Sequence, residues 1–518
     1  MHRFVCYPTS GRKLPPDLHS AHAVGNDNVP LRAEIRWAEN EIRCAARSQD
    51  PLGLSLLWPV KGFGTVQLQT TRLPEREKPY HLHIELARHQ LMRISIKREE
   101  WGLFDYSGMD DIAADIDRAR DAFIAALQHA DDAEAAAAYA DDALARGLWS
   151  AEQMSRFHAT VFLGRRQQTG GFARPFLGVG VPTTIKSATL PRRLAEAFDF
   201  VRIPFVWRDI QPTEQEPSFD AIETCIKACS AAKLTLRGGP LLTFGVRSVP
   251  DWMYIWENDF ESIYEAAREH VERIVQRFGK HISSWIVVSG LQADNVFGFT
   301  FEQVMELTRM AATVAKQAAP RSQVLVDLSQ PWGEYYARNP QTVPPLLYAD
   351  MAVQSGINFD AFGLQFLVGI ASEDYRVRDP FQISALIDKL ANLGKPLHVT
   401  ALGAPSAPVV ASPGSDAHAA GEWHAPWSED VQADWLIALC EIALSKPYVE
   451  TVCLQPLADG GDDVLASGGL LRQDLTPKPA FARLVELRKR LTAGASKQSP
   501  SGSEGRNPSP SGSEGQSA

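Results

Sequence analysis

The chain has 518 residues, 45% of them hydrophobic and 22% charged, a balance typical of a globular protein with enough length for two folded units and tails. A net charge of −10 argues against the basic face that a nucleic-acid footprint needs, and no stretch approaches the roughly 20 apolar residues of a membrane span. The cysteines Cys6, Cys44, Cys225, Cys229, Cys440 and Cys453 are too few and too scattered for a disulfide framework.

Residues 1–30 are polar and proline-rich and read as an N-terminal arm. The start, Met1-His-Arg-Phe-Val-Cys-Tyr-Pro, has no apolar run of secretory-signal length, so the expected compartment is the cytoplasm. Residues 31–174 form a smaller mixed unit, β-rich first and helical after. Its expected strands are Gly53-Leu-Ser-Leu-Leu-Trp58, Thr65-Val-Gln-Leu-Gln69 and His81-Leu-His-Ile-Glu85, the last two alternating with the period of a half-buried strand. From 110 to 166 the pattern is helical, with Gly147 expected as a C-cap and Ser150 as the next N-cap. No chemical motif marks this unit. A sugar-binding β-sandwich and plain packing support both remain open, the second favoured.

Residues 175–492 alternate strand and helix. Strand-like runs begin at Phe176, Phe200, Leu234, Ser284, Gln323, Ala361, Leu397 and Val449, with helical patterns over 261–278, 301–319, 380–393 and 431–445. Eight repeats with strands apolar on both faces predict an α/β fold, a closed (β/α)₈ TIM barrel preceded by the smaller mixed unit. Cys225 and Cys229, four apart on a predicted helix, read as core rather than metal ligands. Residues 493–518 repeat Ser-Pro-Ser-Gly-Ser-Glu-Gly and offer nothing apolar to bury, as expected of a disordered tail.

Function in such barrels sits on loops at the C-terminal ends of the strands. There the chain carries Arg237-Gly-Gly-Pro, then Val249-Pro-Asp-Trp252, Trp285-Ile-Val-Val-Ser-Gly290, Gly363-Leu-Gln365 and Asp459. In spacing this resembles glycoside hydrolase family 10, the endo-1,4-β-xylanases, with their Arg-Gly-His-Thr-Leu-Val-Trp-His, Leu-Pro-Ser-Trp and Trp-Asp-Val-Val-Asn-Glu stretches. The resemblance spans about 175–490 and implies a retaining O-glycosyl hydrolase. Its acid/base glutamate, however, falls on Gly290 and its nucleophile on Ala401, in Thr400-Ala-Leu-Gly403. The substrate-holding motif after the second strand keeps only Trp207, and the Trp under the sugar falls on Gln455. Retaining hydrolysis needs two carboxylates about 5 Å apart, and Gly and Ala supply neither.

Other strand-end acids are Asp209, Asp251, Asp294, Asp327, Glu334 and Asp459, of which Asp294 or Glu334 is the candidate for a relocated catalytic carboxylate. Trp207, Trp252, Trp256, Trp332, Tyr335, Trp423 and Trp427 follow strand ends closely and either stack on a sugar or roof the barrel. The expected binding set is Trp207, Arg237, Trp252, Trp332, Gln365 and Gln455. The stretch 403–426 reads as a lid, with His418 and His424 as loop histidines rather than metal ligands. The expectation is therefore a family-10-like barrel that binds a neutral oligosaccharide or polysaccharide, with no metal or cofactor and the xylanase mechanism lost. Two alternatives stay open: an active hydrolase with relocated carboxylates, and a protein-interaction scaffold. The saccharide and the oligomeric state are not specified by the sequence.

Overall fold

In the computed structural model the described residues are 1–9, 14–185, 187–370, 375–408, 420–461, 465 and 467–493. The repeat-bearing tail from 494 onward lies outside them, as does His418.

The N-terminal strands are β1 (His2–Val5), β2 (His22–Val24), β3 (Pro30–Leu31), β4 (Ala33–Ala38), β5 (Glu41–Ala46), β6 (Gly53–Val60), β7 (Gly64–Gln69) and β8 (Tyr80–His81). They form two sheets, one ordered β4-β5-β1-β8 and the other built on β3-β2-β6-β7. The expected arm is thus partly woven into the sheets. Phe4 and Ala23 are fully buried, but strands of three or four residues are too short for an alternation to register in the sequence. The expected strand at His81–Glu85 is also different: after β8 the chain enters helix α1 (Leu82–Glu100), whose first residues are buried on every side, so their polar-apolar alternation reports no exposed face. Helices α2 (Asp110–Gln128) and α3 (Ala133–Gln168) follow. α3 runs unbroken through Gly147 and Ser150, contrary to the expected cap pair. A Cβ at Gly147 would sit 3.2 Å from Gln90 Cγ, so the glycine marks where α1 crosses α3 rather than a helix end.

The second unit is a closed barrel of eight parallel strands: β9 (Leu177–Gly180), β10 (Phe200–Ile203), β11 (Thr235–Gly238), β12 (Ser284–Ser289), β13 (Gln323–Leu328), β14 (Ala361–Leu367), β15 (Leu397–Gly403) and, after the two-residue β16 (Glu422–Trp423), β17 (Val449–Leu454). β17 pairs with β9 to close the ring. Each of the eight predicted runs falls on one of these strands, and Cys225 and Cys229 are buried on the helix Asp220–Ala231. Among the described residues no helix is long and apolar enough to cross a membrane.

The two units share a seam. β16, the end of the expected lid, pairs with β7, while Gln67 N–H donates to Val377 O at 2.8 Å and Gln382 Nε2 to Gln67 O at 2.9 Å. Trp423 is buried there, its Nε1 donating to Glu152 Oε2 of α3 at 3.1 Å, so it does not roof the barrel mouth. Trp427 is instead buried beside the loops that follow β14 and β15, its Nε1 donating to Gly421 O at 3.1 Å.

Candidate active site

All eight strands are parallel, so their C-terminal ends share one rim, and the site is built there. Asp327 on β13 is buried at the centre of a hydrogen-bond network. Ser289 Oγ on β12 donates to Asp327 Oδ2 at 2.6 Å, Gln365 Nε2 on β14 donates to the same oxygen at 2.5 Å, and the Thr400 hydroxyl on β15 donates to Oδ1. Gln365 Nε2 also lies 2.9 Å from Ser289 Oγ. Room for the carboxylate comes from Gly363, where a Cβ would lie 2.1 Å from Asp327 Oδ1. Three donors satisfy this anion internally.

Across the ring, Arg202 on β10 donates to Gly239 O at 3.3 Å and to Gln455 Oε1, just past β17. Arg237 on β11 donates to Thr451 Oγ1 at 2.8 Å and lies 3.7 Å above the Phe200 ring. Burial pushes Arg237 down to about 10, with Cys453 and Glu450 opposing. Glu450 is pushed down to about 2 chiefly by contact with His398, whose Nε2 is 3.1 Å away. The barrel interior therefore carries an unusual amount of charge for a fold normally filled by branched apolar side chains.

Gly290 follows β12 directly, with φ of 70°, and a Cβ there would lie 2.6 Å from Ser329 Oγ. Ala401 sits opposite Gln365 where the β14–β15 register slips by one residue, a bulge at Thr400 that leaves Ala401 two residues before the C-terminal end of β15. Gly290 and Ala401 are thus on the same rim, as the strand assignment requires. Asp294 closes the turn after Gly290, donating its N–H to Gly290 O at 2.9 Å. Although the residue as a whole is exposed, its carboxyl packs over Gly245, and that burial raises it above the ordinary carboxylate range, with Arg247 opposing.

The remaining predicted residues lie apart from this centre. Trp207 is buried with its ring stacked on His270 at 4.2 Å, and it lines a groove of about 220 Å³ with Trp252 and Trp256 between the second and third rim loops. Trp252 Nε1 donates to Gln211 O at 2.9 Å. Trp332 and Glu334 face the seam with the N-terminal unit. Glu334 is buried between Arg376, 3.2 Å away, and Arg378, and the Arg378 guanidinium lies 4.1 Å over the Trp332 ring. Asp251 pairs with Arg208 at 2.9 Å, and Asp459 with Lys478 at 2.6 Å. The central role of Asp327 was only partly readable: it stood among the strand-end acids, but its three donors come from three other strands. Arg202 carried no signal beyond its strand. Among the described residues no group of three His, Cys, Asp or Glu side chains could hold a metal.

Fold and rim define a (β/α)₈ barrel with the Asp327 network at its C-terminal mouth. The Arg237, His398 and Glu450 group lies nearer the strand starts, where Gln323, the first residue of β13, donates to Glu450. The model of glycosyl hydrolase family 10 matches residues 205–486, more than half of the chain, and the protein belongs to that family. Among solved structures it is similar to xylanase 10B from Thermotoga petrophila in complex with xylobiose, at 16% identity over 63% of this chain and 96% of that one, with a TM-score of 0.47. It is also similar to a family 10 protein from Paenibacillus barcinonensis, at 18% identity over 62% and 96%, with a TM-score of 0.47. A third is a Thermobacillus composti xylanase, at 19% identity over 60% and 96%, with a TM-score of 0.45. No curated protein matches the chain.

Proposed function

We infer that this family 10 barrel binds a neutral saccharide across its mouth and does not hydrolyse it by the retaining mechanism. The observation that carries the reading is the pair of rim positions assigned to the glutamates by motif spacing. One holds a left-handed glycine hemmed in by Ser329, the other a buried alanine. The nearby buried carboxylate, Asp327, already accepts three hydrogen bonds and has no second acid to work with in the network. Double displacement needs one carboxylate to attack and another to protonate the leaving oxygen.

What remains suits binding. Gln365, Gln455 and Arg202 present amide and guanidinium groups at the mouth, and Trp252 and Trp256 offer half-buried aromatic faces beside it. A second reading, hydrolysis with Asp294 as general acid, draws on its raised carboxyl group. Glu334 supports that reading poorly, because its charge is taken up by Arg376 and Arg378.

Titration calorimetry against xylo-, cello- and manno-oligosaccharides, with an aryl β-xylobioside assay alongside, tests the reading. The expected result is a Kd on the order of micromolar to millimolar for one series, weakened by Trp252→Ala, with no aryl release. Turnover abolished by Asp294→Asn overturns it in favour of the relocated hydrolase. A folded protein that binds no member of the panel favours the scaffold instead.

A further inference from the structure

Between the two units lies a cavity of about 180 Å³, walled by β6, β7 and α1 on one side and by the loop after β13 and the helix Pro380–Ala391 on the other. It is distinct from the barrel mouth and contains the Trp332 ring. Two cations reach it from opposite units. Arg93 on α1 donates from Nη1 to Gln90 Oε1 at 3.1 Å and lies 4.7 Å over the Phe381 ring, and among the described residues it forms no ion pair. Lys389 donates to the backbone oxygen of Asp27 at 2.7 Å. Burial pushes both below their ordinary values, with Asp379 and Asp27 opposing.

Charge in and around this cavity does not balance. Glu334 is taken up by Arg376 and Arg378. Asp379 caps its helix, accepting from Gln382 N–H at 3.0 Å, and burial raises it above its ordinary value, with Arg93 opposing. Arg93, Arg376, Arg378 and Lys389 thus face only Asp27, Glu334 and Asp379, one acid fewer than the cations. A cation held in a low-dielectric wall without a counter-ion is costly, and an anion entering the cavity removes that cost. An acceptor is also left over. Gln67 is fully buried and spends its amide hydrogens on Ser20 O and Ser55 Oγ, while its Oε1 has no partner among the described residues. Such an oxygen calls for a hydroxyl donor. Sites for drug-sized ligands run to about 300–1,000 Å³, so this smaller space suits a single ring.

We propose that the cavity is a binding site for a small hydroxylated anion of one-ring size, a sugar acid or a sugar phosphate, with Arg93 and Lys389 meeting its charge and Gln67 accepting from one of its hydroxyls. This site is independent of saccharide binding at the mouth, and the variants separate the two. Calorimetry on the full chain uses D-glucuronate and D-glucose 6-phosphate as probes, with D-glucose and inorganic phosphate as controls. At least one sugar anion should bind tenfold or more tightly than either control, and which one binds identifies the source of the charge. Arg93→Gln should weaken that binding at least tenfold. Lys389→Gln, at the cavity edge, should weaken it several-fold and serves if the Arg93 variant does not fold. Absence of binding by both sugar anions, glucose or phosphate binding as tightly as they do, or affinity unchanged in the folded variants overturns the proposal.

Discussion

Gly290 holds its backbone at φ 70°, a conformation that costs an ordinary L-residue about 1–2 kcal/mol. The 2.6 Å approach of Ser329 Oγ to a Cβ there adds crowding that the serine relieves only by turning away. Restoring the motif is therefore more than adding two carboxylates. Gly290→Glu should lower the unfolding free energy by about 2 kcal/mol in urea melts. The double variant with Ala401→Glu should still release no aryl group from a xylobioside. Arg202-Ile-Pro-Phe-Val stands where the family's substrate-holding residues would position the sugar, and positioning accounts for much of such a barrier. Recovery of turnover in that double variant would mean that the two substitutions alone separate this site from a working one.

The helix Phe260–Phe278 carries a titrating group as part of its packing. His270 stacks on Trp207, and burial, helped by Arg273, holds it down to about 3. The folded state therefore keeps His270 neutral while the unfolded chain takes up a proton near pH 6.5. Its contribution is complete above about pH 6.5 and is lost progressively as the pH falls toward 3. His270→Phe keeps a stacked ring and removes the proton. The dependence of unfolding free energy on pH between 6 and 4 should then flatten by about one proton, or ~1.4 kcal/mol per pH unit; an unchanged slope contradicts the assignment. At this scale the sequence was most legible where elements repeat. The eight barrel strands are apolar runs of ordinary length, and a helical pattern separates most of them. The misreadings arose where a residue's role depends on a distant partner. Gly147 has the identity of a helix stop and the function of a crossing point, and His81–Glu85 alternates although the start of α1 is buried all round. At the rim, motif spacing located Gly290, Ala401, Gln365 and Gln455, but the directions of the loops bearing Trp332 and Trp423 are set by docking against the N-terminal sheets.

That docking is fastened at Asp388, on the helix Pro380–Ala391. Its Oδ2 accepts from Lys97 Nζ at 3.1 Å and from Trp101 Nε1 at 3.0 Å, both belonging to or just beyond α1, and its Oδ1 accepts from Lys446 Nζ at 2.6 Å and from the Tyr448 hydroxyl. Burial opposes ionisation of Asp388, yet Lys446 and Lys97 outweigh it and hold the carboxyl below its ordinary value. Asp388→Asn strands the ammonium of Lys446, whose side chain is 2% exposed, and should cost about 3–5 kcal/mol. Because the aspartate joins both units, calorimetry should show one transition moved to lower temperature; two separated transitions would mean that the units unfold independently. The pairing of β16 with β7 has a further consequence, for the order of assembly on the ribosome. β7 emerges early, but its neighbour at Glu422–Trp423 is translated only after seven of the eight barrel strands. A nascent chain halted before that point carries an open sheet edge, a ready template for pairing with another chain. The unit synthesised first is completed only when the barrel is nearly finished.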